Sequence, residues 1–488
     1  MKIHAIKSDY FMKFRLFLTL FITFVSLCFG LIASVPLADG QTRIAPSYPL
    51  KLSTSGSYLV DQDNRPFFMA GDAAWSLIVQ LSQMDADTYL SDRAQKGFNL
   101  VLVNLIEHKF ATNAPANLAN QAPFTTPGKF NTPNEAYFAH ADWIINKALE
   151  KGIVVLLDPL YLGYQCESEG WCSEVKASLP ATLRDYGRFV GKRYSSFPNI
   201  IWLIGGDTDP VANGVADKVK EFVAGIREFD NTHLFTAHNG PEQAAMDVWS
   251  NETWLNLNNI YTYADAYPMA FAQYARIGAK PFFLIETYYE NDRDSTPLSL
   301  RRQAWWTVLS GGVVGHIYGN TPLWHFNAPS GKNTDGTWQS QLGSTAGTTI
   351  TYVGKLLSSR AFYNLVPDRE HSVLVAGYQS GGNYAAAARA SDGSSIIVYI
   401  PTRRTVTIEL AKIAGGLARV WWFNPRTATA IMVGAYEASG TMTFTPPDQQ
   451  DWVLIIDNAS LNLPIPGTPV SILTAPTKQL GLCCKTLS

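Results

Sequence analysis

A chain of 488 residues with 47% hydrophobic and only 16% charged residues is too apolar for disorder and too long for one core, so one large and one smaller domain are expected. The formal net charge is −2 and no cluster of Lys and Arg follows the leader, which argues against a nucleic-acid partner or an anionic membrane surface. A surplus of aromatic residues, 13 Trp, 22 Tyr and 25 Phe, suits a flat neutral ligand better.

Residues 1–40 read as a secretory signal. Lys13 and Arg15 precede an uncharged run, Leu16–Val35, and small residues follow it around Ser34 to Gly40, so a secreted or periplasmic protein with no membrane attachment after cleavage is expected. A retained anchor is the alternative, because about 20 apolar residues can span a bilayer. Cys28 falls in this leader, and Cys483 and Cys484 fall in a C-terminal tail. Only Cys166 and Cys172 remain, in "YQCESEGWC", a short loop that a disulfide could close in an exported protein. Two free thiols are the alternative. The Cys-x5-Cys spacing is not that of a zinc knuckle and no His-Glu-x-x-His occurs, so no metal is expected.

From residue 46 the chain opens with an alternating stretch, Leu50–Phe68, that predicts an antiparallel ribbon lying on the bottom of the larger domain. Eight short apolar runs come next: Phe67–Gly71, Leu100–Leu105, Ile153–Leu157, Ile200–Ile204, His233–Ala237, Asn259–Tyr263, Phe282–Ile285 and Val313–Tyr318. Amphipathic stretches separate them, the first opening at Ser82 with Asp85 three residues on and stopping at Gly97. The fifth, "PEQAAMDVWS", is the shortest. Runs without alternation are strands covered on both faces. Eight strand–helix units predict an α/β fold, a closed (β/α)8 TIM barrel over 46–362. A doubly wound open sheet is the runner-up, but no Gly-x-Gly-x-x-Gly follows the first run, so no dinucleotide or other cofactor is expected. A capping helix at Val353–Phe362 leads to seven short strands between Ser372 and Asp457, a C-terminal all-β sandwich over 363–458. The segment 459–488, with Pro464, Pro466, Pro469 and Pro476, reads as a tail.

In such a barrel, chemistry gathers at the carboxyl ends of the strands. Those ends carry Asp72, Asn104, Glu107, Asp158, Asp207, His238, Tyr263, Glu286, His316 and Tyr318. A single acid there more often caps the next turn, which is the reading for Asp158 and Asp209. Asp207 and Glu286 stand out because "IIWLIGGD" and "KPFFLIE" hold each against buried strand. A carboxyl beside apolar walls stays protonated to higher pH and can act as a general acid, and cleaving a glycosidic bond requires that acid plus a second carboxylate. Gly205 and Gly206 would let backbone and sugar approach closely. Glu290 rivals Glu286. Trp75, Tyr161, Tyr164, Trp171, Tyr263, Tyr288, Trp324 and Trp338 fall in loops after the strands, where rings can stack on sugars. Asp72, Trp75, Asn104, Tyr161, His238, Tyr263, Tyr288 and His316 are the candidate substrate-binding residues.

Several stretches resemble the apiosidase-like barrels of glycoside hydrolase family 140: "RPFFMAGDAAWSLI", "YLSDRAQKGFNLVLVN", "LLDPLYLGY", "PNIIWLIGGDTDP" and "KPFFLIETYYE". The late β-domain resembles the collagen-binding type that often follows them. The resemblance implies a retaining hydrolase of apiose-linked plant glycans such as pectin, with Asp207 as acid/base and Glu286 as nucleophile. Family members more usually carry Gly-Glu where this chain has Ile285-Glu286. The expected partner is an oligo- or polysaccharide, with no obligate protein partner. Two alternatives are another specificity, a furanosidase or endo-β-glycanase, and a non-catalytic carbohydrate- or matrix-binding protein.

Overall fold

The computed structural model describes residues 45–328 and 336–468. The leader 1–40 with Cys28, and the tail beyond residue 468 with Cys483 and Cys484, lie outside the described residues. Eight parallel strands, Met69–Ala73, Leu100–Asn104, Val154–Asp158, Ile200–Gly205, Phe235–His238, Asn258–Tyr261, Phe282–Glu286 and Gly315–Tyr318, form one sheet in chain order, with the first paired to the eighth. Strands five and six share no ladder. Their seam is closed instead by Asn256 and Leu257 N–H groups donating to Phe235 O, and by Asn259 Nδ2 donating to Thr236 Oγ1 at 3.0 Å and Ala237 O at 2.6 Å. The (β/α)8 barrel is thereby nearly closed.

Apart from Glu286 at the end of strand seven, each strand is buried along its whole length because alternate residues serve two cores. Met69, Leu100, Leu102, Val154, Leu156, Ile201, Leu203 and Phe283 fill the axis, while Val101, Val103, Val155, Leu157, Trp202 and Ile204 meet the surrounding helices. The ribbon Lys51–Leu52, Leu59–Val60, Pro66–Phe67 contributes Leu59 and Phe67 to the axial core. Helix Gln83–Lys96 starts where Ser82 accepts the Asp85 N–H and stops at Gly97, which has φ 95°, as the sequence indicates.

The C-terminal residues form a six-stranded antiparallel sheet and a three-stranded one, packed face to face. Several elements differ from the sequence reading, among them the unexpected strand Leu365–Pro367 at one edge of the large sheet. The capping helix runs Thr345–Leu357, earlier than expected, because its Thr- and Gly-rich first half has weak propensity and is started by Ser344 accepting the Gly347 N–H. Strand Thr429–Glu437 was not expected: it is the outer edge of the large sheet and half-exposed throughout, so it lacks a buried face to set an alternation.

The large sheet shares a core with barrel helices Pro297–Leu309 and Thr345–Leu357. Across that contact Arg301 donates to both Asp451 oxygens, at 2.9 and 2.8 Å, with both side chains buried, and Tyr399 OH donates to Asp451 Oδ2 at 3.1 Å. Asp451→Ala strands a buried guanidinium and is expected to cost about 3–5 kcal/mol. Replacing both partners by apolar residues, Arg301→Met with Asp451→Leu, should recover most of that loss in denaturant unfolding.

Candidate active site

Strand four ends in a run of left-handed backbone: φ is 106° at Gly205, 114° at Gly206 and 56° at Asp207. Glycine alone takes the first two without penalty, and Asp is among the few side chains that tolerate the third. The path leaves no room for a side chain either. A Cβ on Gly206 would lie 2.2 Å from Cδ2 of Tyr161, and one on Gly205 would lie 2.9 Å from His238 O. The close approach made possible by the glycines is therefore to the Tyr161 ring and to strand five, a correction to the idea that they make room for a sugar. Gly206 N–H donates to His238 O at 2.8 Å and Gln165 N–H to Asp207 O at 3.2 Å, so the Asp207 backbone is held from both neighbouring loops. Gly206→Ala is expected to cost about 1–3 kcal/mol from backbone strain alone, with displacement of Tyr161 adding to it. Denaturant unfolding would show the first effect and altered tyrosine fluorescence the second.

Glu286 reaches the site by a different device. In strand seven Phe283 and Ile285 belong to the axial core, so simple alternation would send Glu286 outward to the helices. The pairing with strand six shifts, Leu284 facing Ile260 and Glu286 facing Tyr261. Ile285 is the extra residue of a bulge, which turns the next side chain back toward the axis.

His238 joins the two acids. Its Nδ1 accepts the Asp207 backbone N–H at 2.9 Å, and its Nε2 lies 3.0 Å from Glu286 Oε2. An Nδ1 that accepts carries no proton, so the proton sits on Nε2 and is donated to Glu286. Burial, the largest single effect, disfavours the imidazolium, but Glu286 together with the Asp207 and Asp158 charges draws His238 above its ordinary pKa. The neutral ring is the form that makes both bonds, since a protonated Nδ1 has no lone pair to offer the Asp207 N–H.

Burial is the main reason the Asp207 carboxyl is pushed up to about 7, with the Glu286 charge adding to it and His238 and Tyr261 opposing. Its Oδ2 lies 3.5 Å from Tyr161 OH, which also reaches Glu169 Oε1 at 3.4 Å. Aromatic rings enclose the pair. Trp75 packs 5.5 Å from both Tyr161 and His238 and donates from Nε1 to Tyr289 OH at 2.9 Å, while the Tyr261 and Tyr263 hydroxyls share a hydrogen bond of 2.8 Å. The arrangement presents a proton donor and a carboxylate on one aromatic-walled rim.

A model described as the apiosidase-like catalytic domain matches residues 53–364. The chain belongs to the apiosidase-like family. A second model, "Putative collagen-binding domain of a collagenase", matches residues 366–457. Among solved structures, one named a glycoside hydrolase is 24% identical with a TM-score of 0.76, covering 86% of this chain and 99% of its own. A glycoside hydrolase family 5 protein from Bacteroides vulgatus is 23% identical with a TM-score of 0.75, covering 84% and 93% respectively. At those identities the likeness establishes the shared fold. No curated protein matches the chain.

In this apiosidase-like barrel the structure brings Asp207, Glu286, His238, Trp75, Tyr161 and Tyr263 together, with Tyr288 against Tyr263 and the Asn104 N–H donating to Trp75 O, and turns Asp72 and His316 away. Asp72 pairs in register with Val101, a helix-facing position, and its buried carboxyl accepts from Tyr89 OH at 2.7 Å and Arg93 at 3.1 Å. Burial raises it to about 6 although Arg93 opposes. It is committed to the first helix. His316 faces outward for the same reason, opposite Ala70. It lies edge-on to Phe68, and burial lowers it to about 4. Asn104, the last residue of its strand, is buried and hydrogen-bonds Glu107, and its Oδ1 has no hydrogen-bond partner among the described residues. Tyr288 backs the Tyr263 ring, 5.6 Å away.

The rival acid Glu290 is fully committed, accepting from Tyr318 OH, from Asn320 Nδ2 at 3.2 Å and from Ala346 N–H at 3.1 Å. Asp209 serves its turn, accepting the Val211 and Ala212 N–H groups. Trp171 and Trp338 are core residues. Cys166 and Cys172 are disulfide-bonded, closing the loop that carries Glu169. Tyr261, Tyr289 and Glu169 went unrecognised in the sequence. Tyr261 and Tyr289 stand two residues before and one residue after the tyrosines singled out, so the signal was present and the register was not. Among the described residues no cluster is arranged to hold a metal ion.

Proposed function

We propose that the protein is an exported, retaining glycoside hydrolase acting on apiose-linked plant glycans. The observation that carries the reading is the single imidazole of His238, which bonds the Asp207 backbone through one nitrogen and the Glu286 carboxylate through the other. It keeps a protonatable acid and an anionic carboxylate on one rim, the pair a double displacement requires. Asp207 gives its proton to the leaving oxygen while Glu286 attacks the anomeric carbon and forms a glycosyl ester. Asp207, now a carboxylate, takes a proton from water as that water attacks the same carbon and Glu286 departs. His238 Nε2–H holds Glu286 Oε2 in place for the attack. The family description supports apiose as the sugar released. The leader and the Cys166–Cys172 disulfide support export, since such bonds persist in oxidising compartments.

The test is product analysis by proton NMR during hydrolysis of an apiosyl glycoside. The expected first-formed product has the anomeric configuration of the substrate. An inverted product would end the double-displacement assignment, and no release from any apiosyl glycoside would end the substrate assignment.

A further inference from the structure

The Tyr161 hydroxyl stands between two acids. It lies 3.5 Å from Asp207 Oδ2 and 3.4 Å from Glu169 Oε1, so its single proton can serve either carboxyl group but not both at once. The ring cannot follow the choice. Trp171 N–H donates to Tyr161 O at 2.8 Å, Trp75 packs 5.5 Å away, and Gly206 lies so close that a Cβ there would come within 2.2 Å of the ring. Glu169 is held as well, its Oε1 accepting the Tyr164 N–H at 2.9 Å in the loop that the Cys166–Cys172 disulfide closes. Only the O–H bond is left to turn.

Tyr161 keeps its proton throughout, because burial raises its ionisation well above the ordinary tyrosine value and the charges of Asp207, Glu169, Glu286 and Asp158 raise it further. What changes is Asp207. Its Oδ1 is buried with no hydrogen-bond partner among the described residues, which leaves that oxygen to carry the acid proton while Oδ2 faces the hydroxyl. A neutral carboxyl accepts weakly and a carboxylate strongly, so the better acceptor for Tyr161 is Glu169 before proton transfer.

We infer that the Tyr161 hydroxyl is a two-position donor, turned to Glu169 while Asp207 holds its proton and to Asp207 once that proton has passed to the leaving oxygen, with Glu169 a positioning residue that sets the balance. The inference rests on the proposed hydrolase activity and adds two residues that govern how readily the acid becomes the base. Glu169 opposes ionisation of Asp207 in two ways, by its charge and by competing for the hydroxyl. Glu286 also opposes it, and His238 and Tyr261 favour it.

The test is the position of the alkaline limb of kcat/KM on an apiosyl glycoside. Tyr161→Phe removes a donor to the ionised acid and should move the limb to higher pH by at least about half a unit. Glu169→Gln removes the charge and weakens the competing acceptor, and should move the limb to lower pH by at least about half a unit. The glutamine carbonyl can still accept the Tyr164 N–H. When Tyr161 is already Phe, Glu169→Gln should move the limb less than it does alone, because only the effect of charge remains. The position of a limb does not depend on how much of a variant is folded, and the carbon-13 carboxyl titration of Asp207 should show the same order of shifts without any turnover. Limbs that stay in place or move the same way, or a Glu169→Gln shift of equal size with and without the hydroxyl, overturn the inference and leave the hydrolase reading standing. If the unaltered protein releases no sugar from any apiosyl glycoside, the hydrolase reading falls and the inference with it.

Discussion

Glu286→Ala is expected to lower turnover of an apiosyl glycoside by at least about four orders of magnitude, equivalent to about 5 kcal/mol of transition-state stabilisation. The size reflects the role: without the carboxylate no covalent adduct forms, and the second step has nothing to release. The fold should survive, because Glu286 is part-exposed and its side chain meets the protein chiefly through His238 Nε2. The accompanying check is chemical. A slow 2-fluoro apiosyl substrate should label the unaltered protein at Glu286, seen by peptide mass spectrometry, and should not label the variant. Labelling at Glu290 would reassign the nucleophile, although the three hydrogen bonds that Glu290 accepts from Tyr318, Asn320 and Ala346 leave it little freedom to attack.

Asp207→Ala is expected to slow hydrolysis of poor leaving groups by about 10²–10⁴-fold and to slow aryl glycosides much less in the first step, because a good leaving group departs without a proton. The pH profile gives an independent reading. Burial and the Glu286 charge hold Asp207 at about 7, and only its protonated form can serve as the acid. The value of kcat/KM should fall as pH rises through that value, a limb that disappears in Asp207→Ala. An unchanged alkaline limb in the variant would assign the titration to another group. His238 is the neighbour to consider, but its Nδ1 is occupied by the Asp207 N–H, so loss of that limb on removing the Asp207 carboxyl separates the two.

Much of this protein is legible before any coordinates. The eight barrel strands announce themselves because burial on both faces demands unbroken apolar runs, and the Ser82 and Gly97 caps mark a helix by chemistry that needs only its own neighbours. Asp207 is legible for a related reason: two glycines at the end of a buried strand signal a backbone path that other residues resist, and the φ values of 106° and 114° supply it. Strand Thr429–Glu437 was hidden because an exposed edge has no burial pattern to display.

What the sequence by itself determined was which residues end the strands, since that depends on local apolar runs and turn chemistry. Which way those residues face was decided only by the tertiary structure, because facing depends on register with a neighbouring strand distant in the chain. Asp72, near the end of strand one, and His316, within strand eight, turn outward, toward Arg93 and Phe68. Glu286 would do the same were it not for the extra residue at Ile285 opposite strand six, and a bulge exists only in relation to the strand it fails to match.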